Sequence, residues 1–407
     1  MKDANGTLLL ILAVALVAPL IAATVPRLRV PALVLEILFG IIIGPQVLDL
    51  VAITPPIELL SNLGLATLIF MAGFELDPQR LKGEPMRLAS MGWASSIVLG
   101  LGLALVFHLT GLVISQLFVG LALTTTALGT LLPIMRDAGL LPTKLGTHVL
   151  AVGSVGEFGP IIAIALVLSG SSPTDAVQSL LLFVAVAILV FIWARRPGEG
   201  RMRRAVGATI RSSGLLFVRL ALLLVALLAW VAAELGLDFL LGAFTAGMIY
   251  RLFLSSAGEE EVETVEVKLE AVSFGYVIPI FFVVTGVTYD LDALLHSAKA
   301  LAMVPLFLVS FLVVRGLPVL MYRTDLPDPN DRRALVFFSA TALPLVVAIT
   351  TLGVEADQMR PSTAAALVGA GMISVILFPL LGMAAYQRSD RAQAAASAPS
   401  VASTDTP

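Results

Sequence analysis

The sequence has no cysteine among its 407 residues, three histidines, and only 13% charged side chains. Without cysteine there can be no disulfide and no thiolate metal centre, although this says nothing about compartment. There is no HExxH metalloprotease motif, and "GSVG" at 153–156 is not the GxSG of an intramembrane serine protease. No pair of mid-span aspartates offers an aspartyl site, so intramembrane proteolysis is excluded. No basic cluster interleaved with aromatics is present, which excludes nucleic acid as a partner. The net charge of −3 carries little information, because nearly all charge lies in loops.

What fills the chain instead is apolar residue, 58% of the total, with a mean hydropathy of +0.99. Soluble domains hold roughly 45–50% apolar residues and about 25% charged ones. A membrane-spanning helix needs about 20 mostly apolar residues. Thirteen such stretches can be drawn: 7–24, 30–48, 57–74, 88–110, 115–135, 147–168, 176–194, 213–233, 239–255, 272–289, 300–322, 333–353 and 362–385. They are continuous runs without the period-2 alternation of barrel strands, so the expected fold is an all-α polytopic membrane bundle.

Lysine and arginine accumulate in cytoplasmic loops. With thirteen spans and the N-terminus outside, 20 of the 25 basic residues fall inside, and only Lys2, Lys299 and Arg360 fall outside. Arg219 and Arg315 lie within spans. Cleavage of the first run as a signal peptide would leave Arg27 and Arg29 outside, against this bias, so the run reads as a span. The C-terminus is then cytoplasmic, and residues 388–407, rich in Ala, Ser and Pro, are expected to be a disordered tail.

Two strings recur at one offset. "ELD" at 75–77 answers "DLD" at 290–292, and Thr126-Ala127-Leu128 answers Thr341-Ala342-Leu343, each 215 residues apart. Both pairs are seven spans apart, an odd number, so the two copies cross the membrane in opposite senses, as in secondary transporters built from inverted repeats. Spans one to six and eight to thirteen are the copies. Broken helices at corresponding positions point to the binding site. Here those are the fifth span, with Thr124, Thr125, Thr126, Gly129 and Pro133, and the twelfth, with Ser339, Thr341 and Pro344. The plainer alternative is a pair of kinked packing helices.

Four charged residues sit within spans: Glu36, Glu157, Arg219 and Arg315. A charge at mid-bilayer costs at least about 2.5–3.5 kcal/mol, so such residues face a cavity or a partner and mark function. Glu157 lies near mid-depth in "GSVGEFGP", with Gly153, Gly156, Gly159 and Pro160 around it. Small residues admit a neighbouring backbone, and Pro160, which has no amide hydrogen, frees the Gly156 carbonyl. Burial disfavours the ionised form of a carboxylate, which suits a group that binds and releases protons. The alternatives for Glu157 are a permanently protonated, hydrogen-bonded acid or one locked to an arginine. Arg315 is too deep to reach water, and its partner is a carboxylate, Glu157 itself among them, or the carbonyl end of a broken helix. Arg219, near an edge, snorkels. Glu36 pairs with another helix or caps a cavity, and a structural role is expected.

In order along the chain, "PALVLEILFGIIIGPQVL", "LIFMAGFELDPQRLK", "TTTALGTLLPIMRDAGLL", "GEFGPIIAIAL", "FLLGAFTAGMIY" and "IPIFFVVTGVTYDLDAL" resemble the membrane domain of monovalent cation:proton antiporters. That family branch includes sodium/proton and potassium/proton exchangers and glutathione-gated potassium efflux proteins, and the likeness covers residues 1 to about 387. The resemblance implies a dimerising panel made of residues 1–75 and 212–292, and a core transport domain made of residues 88–170 and 299–387. Residues 176–211 would be a linker helix and basic cytoplasmic loop. It also implies a multi-pass protein of a prokaryotic inner or plasma membrane that acts in pH homeostasis as a homodimer among lipids. Relatives often add a cytoplasmic nucleotide-binding domain, and none is expected here. The family's key acidic position falls on Glu157 and its eleventh-span basic residue on Arg315. Gly156 stands where relatives place Asp, Asn or Gln, and Glu157 stands where they usually have Asp.

The expected mechanism is exchange of Na+ or K+ for protons by competition at Glu157, with Thr125, Thr126 and Ser154 as further oxygen ligands and no cofactor. Hard oxygen ligands suit a monovalent cation. One titratable group predicts electroneutral exchange. The other readings are a gated potassium efflux pathway on the same scaffold and a relative that has lost transport.

Overall fold

The structure is a computed structural model and describes residues 3–24, 31–75, 83–168, 173–195, 215–254 and 259–389. The basic loop expected between the seventh and eighth spans and the tail from residue 390 lie outside the described residues, as does most of "ELDPQRLK". Among the described residues there is no strand.

Helices follow one another as α1 (Ala4–Thr24), α2 (Ala32–Ile43), α3 (Pro55–Glu75), α4 (Glu84–Leu109), α5 (Gln116–Leu123), α6 (Leu128–Asp137), α7 (Lys144–Leu168) and α8 (Pro173–Arg195). The second half comprises α9 (Leu216–Glu234), α10 (Phe239–Leu254), α11 (Glu259–Val272), α12 (Ile278–Val287), α13 (Leu291–Leu295), α14 (Ala298–Gly316), α15 (Pro329–Ala340), α16 (Pro344–Glu355) and α17 (Pro361–Tyr386). A π-helical turn, Ser273–Val277, joins α11 to α12, and a 3-10 turn, Leu317–Arg323, extends α14.

Every apolar run drawn from the sequence falls on helix. Among the described residues nine helical segments are long and apolar enough to cross a membrane, and four shorter apolar stretches fall on the second, fifth, seventh and ninth runs. The second run stops early at Gly44-Pro45, so α2 has only 12 residues. The tenth run is longer than drawn, because α11 carries it back through a charged, amphipathic segment.

α3 packs against α10, and α2 against α12. These contacts are backbone against backbone. A Cβ added at Gly73 would lie 2.2 Å from the Phe244 carbonyl oxygen, and one at Gly286 would lie 2.1 Å from that of Ile37. Small residues at helix crossings are how membrane helices approach without a hydrophobic driving force. A second group forms where α4 packs on α5 and α7, and α17 on α14, α15 and α16.

The fifth and twelfth runs are broken. α5 ends at Leu123 and α6 begins at Leu128, while α15 ends at Ala340 and α16 begins at Pro344. The extended links at 125–127 and 341–343 touch, since the Ala127 amide donates to the Thr341 carbonyl at 2.8 Å. Gly129 and Pro133 lie inside α6 rather than in the break, a correction to the expected position. The gap opens earlier, at residues whose backbone groups find partners on other elements, and proline at the sixth position of α6 is tolerated within its helix.

Candidate functional site

The four breaking ends bring two helix N-termini and two helix C-termini to one place. An N-terminus presents amides without intrahelical partners and partial positive charge, and a C-terminus presents carbonyls and partial negative charge. The two buried ions of the region sort by that rule.

Ala127, the residue before α6, offers no side-chain cap, so the first amides of that helix need another acceptor. Glu157, on α7, supplies it: its Oε1 accepts from the Leu128 amide at 2.8 Å and the Gly129 amide at 3.4 Å. Only 9% of Glu157 is exposed. Its Oε2 has no hydrogen bond among the described residues. The adjacent carbonyl of Gly156, which Pro160 cannot reach as a donor, accepts the Thr126 amide at 3.2 Å. α7 thus serves the first break twice, through one side chain and one carbonyl.

Arg315, on α14, is 3% exposed and binds the second set of ends. Its Nη2 and Nε donate to the Thr126 hydroxyl at 2.8 and 3.0 Å, and its Nη1 to the Ser96 hydroxyl at 3.2 Å. It also donates to the carbonyls of Val152 at 3.2 Å and Ser339 at 3.3 Å, the latter in the last turn of α15. Of the partners the sequence allowed, the carbonyl end of a broken helix is the one found. Pairing with Glu157 is not found: the guanidinium is occupied by two hydroxyls and two carbonyls.

Gly156 is explained by the same group. A Cβ there would lie 2.7 Å from both Arg315 Nη2 and Thr126 Oγ1. The space in which a side-chain ligand could sit beside Glu157 is filled by the arginine and the threonine it holds.

The remaining expected ligands are placed differently. Thr126 donates to the Ser339 carbonyl at 2.6 Å while accepting from Arg315. Thr125 and Ser154 donate back to their own helices, to Ala122 and Leu150. Thr341 does the same to Phe337, and Pro344 opens α16 without a side-chain cap. A cavity of about 990 Å3 reaches Glu157, and Thr125, Thr126 and Ser154 do not line it. Gly129, Thr130 and Pro344 do. The Thr130 hydroxyl, bonded to the Ala127 carbonyl at 2.9 Å, is the oxygen that sequence reasoning missed. It lies in the first turn past the break, the third residue of α6.

One wall of the cavity is α1, α2, α3, the π-helical turn and the start of α12, and the other is α6, α7, α16 and α17. Glu36 and Glu75 are on the first wall. Glu36 is 5% exposed and has no partner among the described residues, so the expected helix-to-helix pairing is absent and the cavity-facing alternative is the one seen. Arg219 is exposed, as a snorkelling residue should be.

Comparison with known proteins places these features. The family model for the transmembrane sodium/hydrogen exchanger matches residues 12–382. A putative Na(+)/H(+) antiporter of Bacillus subtilis, YjbQ, is 28% identical over 403 residues, which is 95% of this chain and 64% of that protein. The chain therefore spans less than two thirds of that relative's length. The Na(+)/H(+) antiporter NhaS4 of Synechocystis is 30% identical over 321 residues, covering 71% of this chain and 76% of the relative. The glutathione-regulated potassium-efflux protein KefC of Escherichia coli is 26% identical over 374 residues, 89% of this chain and 58% of its own. Among solved structures, the sodium proton antiporter MjNhaP1 of Methanocaldococcus jannaschii superposes with a TM-score of 0.63 at 17% identity, covering 93% of this chain and 97% of that one, a likeness of fold.

Proposed function

The chain belongs to the transmembrane sodium/hydrogen exchanger family, and from that premise we propose that it exchanges Na+ or K+ for protons by alternating access, with Glu157 as the shared binding group. The observation that carries this reading is the position of Glu157: one oxygen caps α6 at the helix crossing, and the residue lines a cavity of about 990 Å3 that reaches the break. A carboxylate so held binds a proton or a cation, never both, and that exclusion is the coupling. Thr130, which lines the same cavity, offers a hydroxyl oxygen that suits an alkali cation.

The wall bearing α1, α2, α3, α10 and α12 is the stationary panel in this reading, and the group bearing α4 to α7 and α14 to α17 is the moving core. The 215-residue correspondence of the two breaks supports an inverted repeat. Arg315 is bound wholly within the core, so it travels with the crossing and offsets the carbonyl ends without competing for the ion. The cavity lies where α1, α3 and α17 end, the side to which the basic loops assign the cytoplasm, so this is an inward-open state. Glu157 and Arg315 move with the core in both directions, and the bound cation and the bound proton carry the same charge, which makes one-for-one exchange electroneutral. In the family's picture the panel is also the dimer contact.

Proteoliposomes at imposed membrane potentials, titrated with Na+, K+ and Li+ at several pH values, test the proposal. Proton release that tracks cation addition and ignores voltage is expected. A rate that follows voltage would remove electroneutrality, and cation flux without opposed proton movement would select the efflux pathway instead.

A further inference from the structure

Glu75 closes α3 and is half-buried. Its Oε2 is shielded from solvent and has no hydrogen-bond partner among the described residues. It lines the same cavity as Glu157, from the facing wall, and the two carboxylates lie within electrostatic reach of one another. Glu266 and Glu270 on α11 and Arg136 at the end of α6 also act on Glu75. Arg136 is itself drawn toward α11, with Nη2 3.6 Å from Glu266 and 3.7 Å from Glu270, and Arg251 takes the other oxygen of Glu266 at 3.2 Å. Glu75, Glu266 and Glu270 thus share Arg136, which is drawn to the two carboxylates on α11. Deeper along the same wall stands Glu36, 5% exposed, facing the cavity and unpartnered. A buried carboxylate with no donor is costly unless a cation or proton occupies its surroundings.

We propose that Glu75, reinforced by Glu36, sets the affinity of Glu157 for a monovalent cation from the cavity face only. Glu75 belongs to the wall assigned to the panel, and Glu157 to the core, so the negative charge of Glu75 helps hold a cation at Glu157 while this face is open and is left behind when the core moves. Gly156 gives Glu157 no second carboxylate on its own helix. The facing wall supplies one instead, in one state of the cycle. This rests on the exchange reading and adds to it a residue that makes the two faces unequal.

The test compares the cation KM in everted and right-side-out vesicles at alkaline pH, where proton competition is weak. Glu75→Gln is expected to raise the KM on the cavity face roughly tenfold, the size of a single-charge interaction at intermediate dielectric, and to leave the other face unchanged. Glu75→Asp should stay near the parent value. Arg136→Gln, which removes the cation that offsets Glu75, should lower the KM on the same face, and it carries the test alone if Glu75→Gln does not fold. An equal change on both faces, or none on the cavity face, overturns the proposal while leaving exchange intact. If the parent protein shows no cation-coupled proton flux, the exchange reading fails, and the role of Glu75 is read from thermal stabilisation of the purified protein by Na+ or K+. Smaller stabilisation of Glu75→Gln than of the parent supports it, and equal stabilisation overturns it.

Discussion

The two breaks have the same backbone plan and opposite chemistry. At the first, the N-terminus of α6 is capped by an acid from another helix, with two amides on one carboxylate oxygen. At the second, the link before α16 is held by Ser374 of α17, whose hydroxyl accepts from the Ala342 amide at 3.0 Å and lies 2.9 Å from the Ala342 carbonyl, and Pro344 removes one amide that would need a partner. One break therefore carries a group that changes charge, and the other is pinned by a group that cannot. Arg315 joins them by binding Thr126 of the first and Ser339 of the second. Two breaks of one backbone plan can thus hold a titratable group at one and a fixed hydroxyl at the other.

Substitutions that break this contrast should rank in size. Glu157→Gln keeps an oxygen for the α6 amides but cannot be ionised, so folding should survive and exchange should fall to background in a vesicle pH-gradient assay. Arg315→Met removes the donor to two carbonyls and two hydroxyls, and should lower stability by about 3–5 kcal/mol in detergent denaturation, with Arg315→Lys less severe. Gly156→Ala forces a methyl group into the space of the guanidinium and should cost about 1–3 kcal/mol, read as a lower Tm. Ser374→Ala leaves the Ala342 amide without its acceptor, at about 1–3 kcal/mol, and should alter stability more than cation affinity. If Ser374→Ala abolished exchange while Glu157→Gln did not, the division of labour between the breaks would be reversed.

Much of this was legible in the chain because membrane burial makes charge and proline conspicuous. Glu157 stood alone in an apolar run, and Pro160 marked the Gly156 carbonyl as available, which the Thr126 amide then takes. The two helix breaks were visible as a Thr-Ala-Leu string repeated at one offset, with glycine or proline close by in each span. Their exact positions were not, because the gap at 125–127 is set by an amide that pairs with Thr341, 214 residues away in the chain and adjacent only in the fold. The partners of Arg315 were hidden for the same reason, lying on α4, α7 and α15 as well as in the first break. Glu75 entered the sequence reading only through the "ELD" string, and the shielding of its Oε2 appears only in the fold. Gly156 read as a missing ligand, and its physical cause is the arginine that fills the space.

The most direct measurement is cation-driven proton movement in proteoliposomes containing Glu157→Gln beside the parent protein, with equal amounts of folded protein verified by size exclusion. Loss of exchange with unchanged folding is the predicted result; exchange that persists in the variant would contradict Glu157 as the shared proton and cation site.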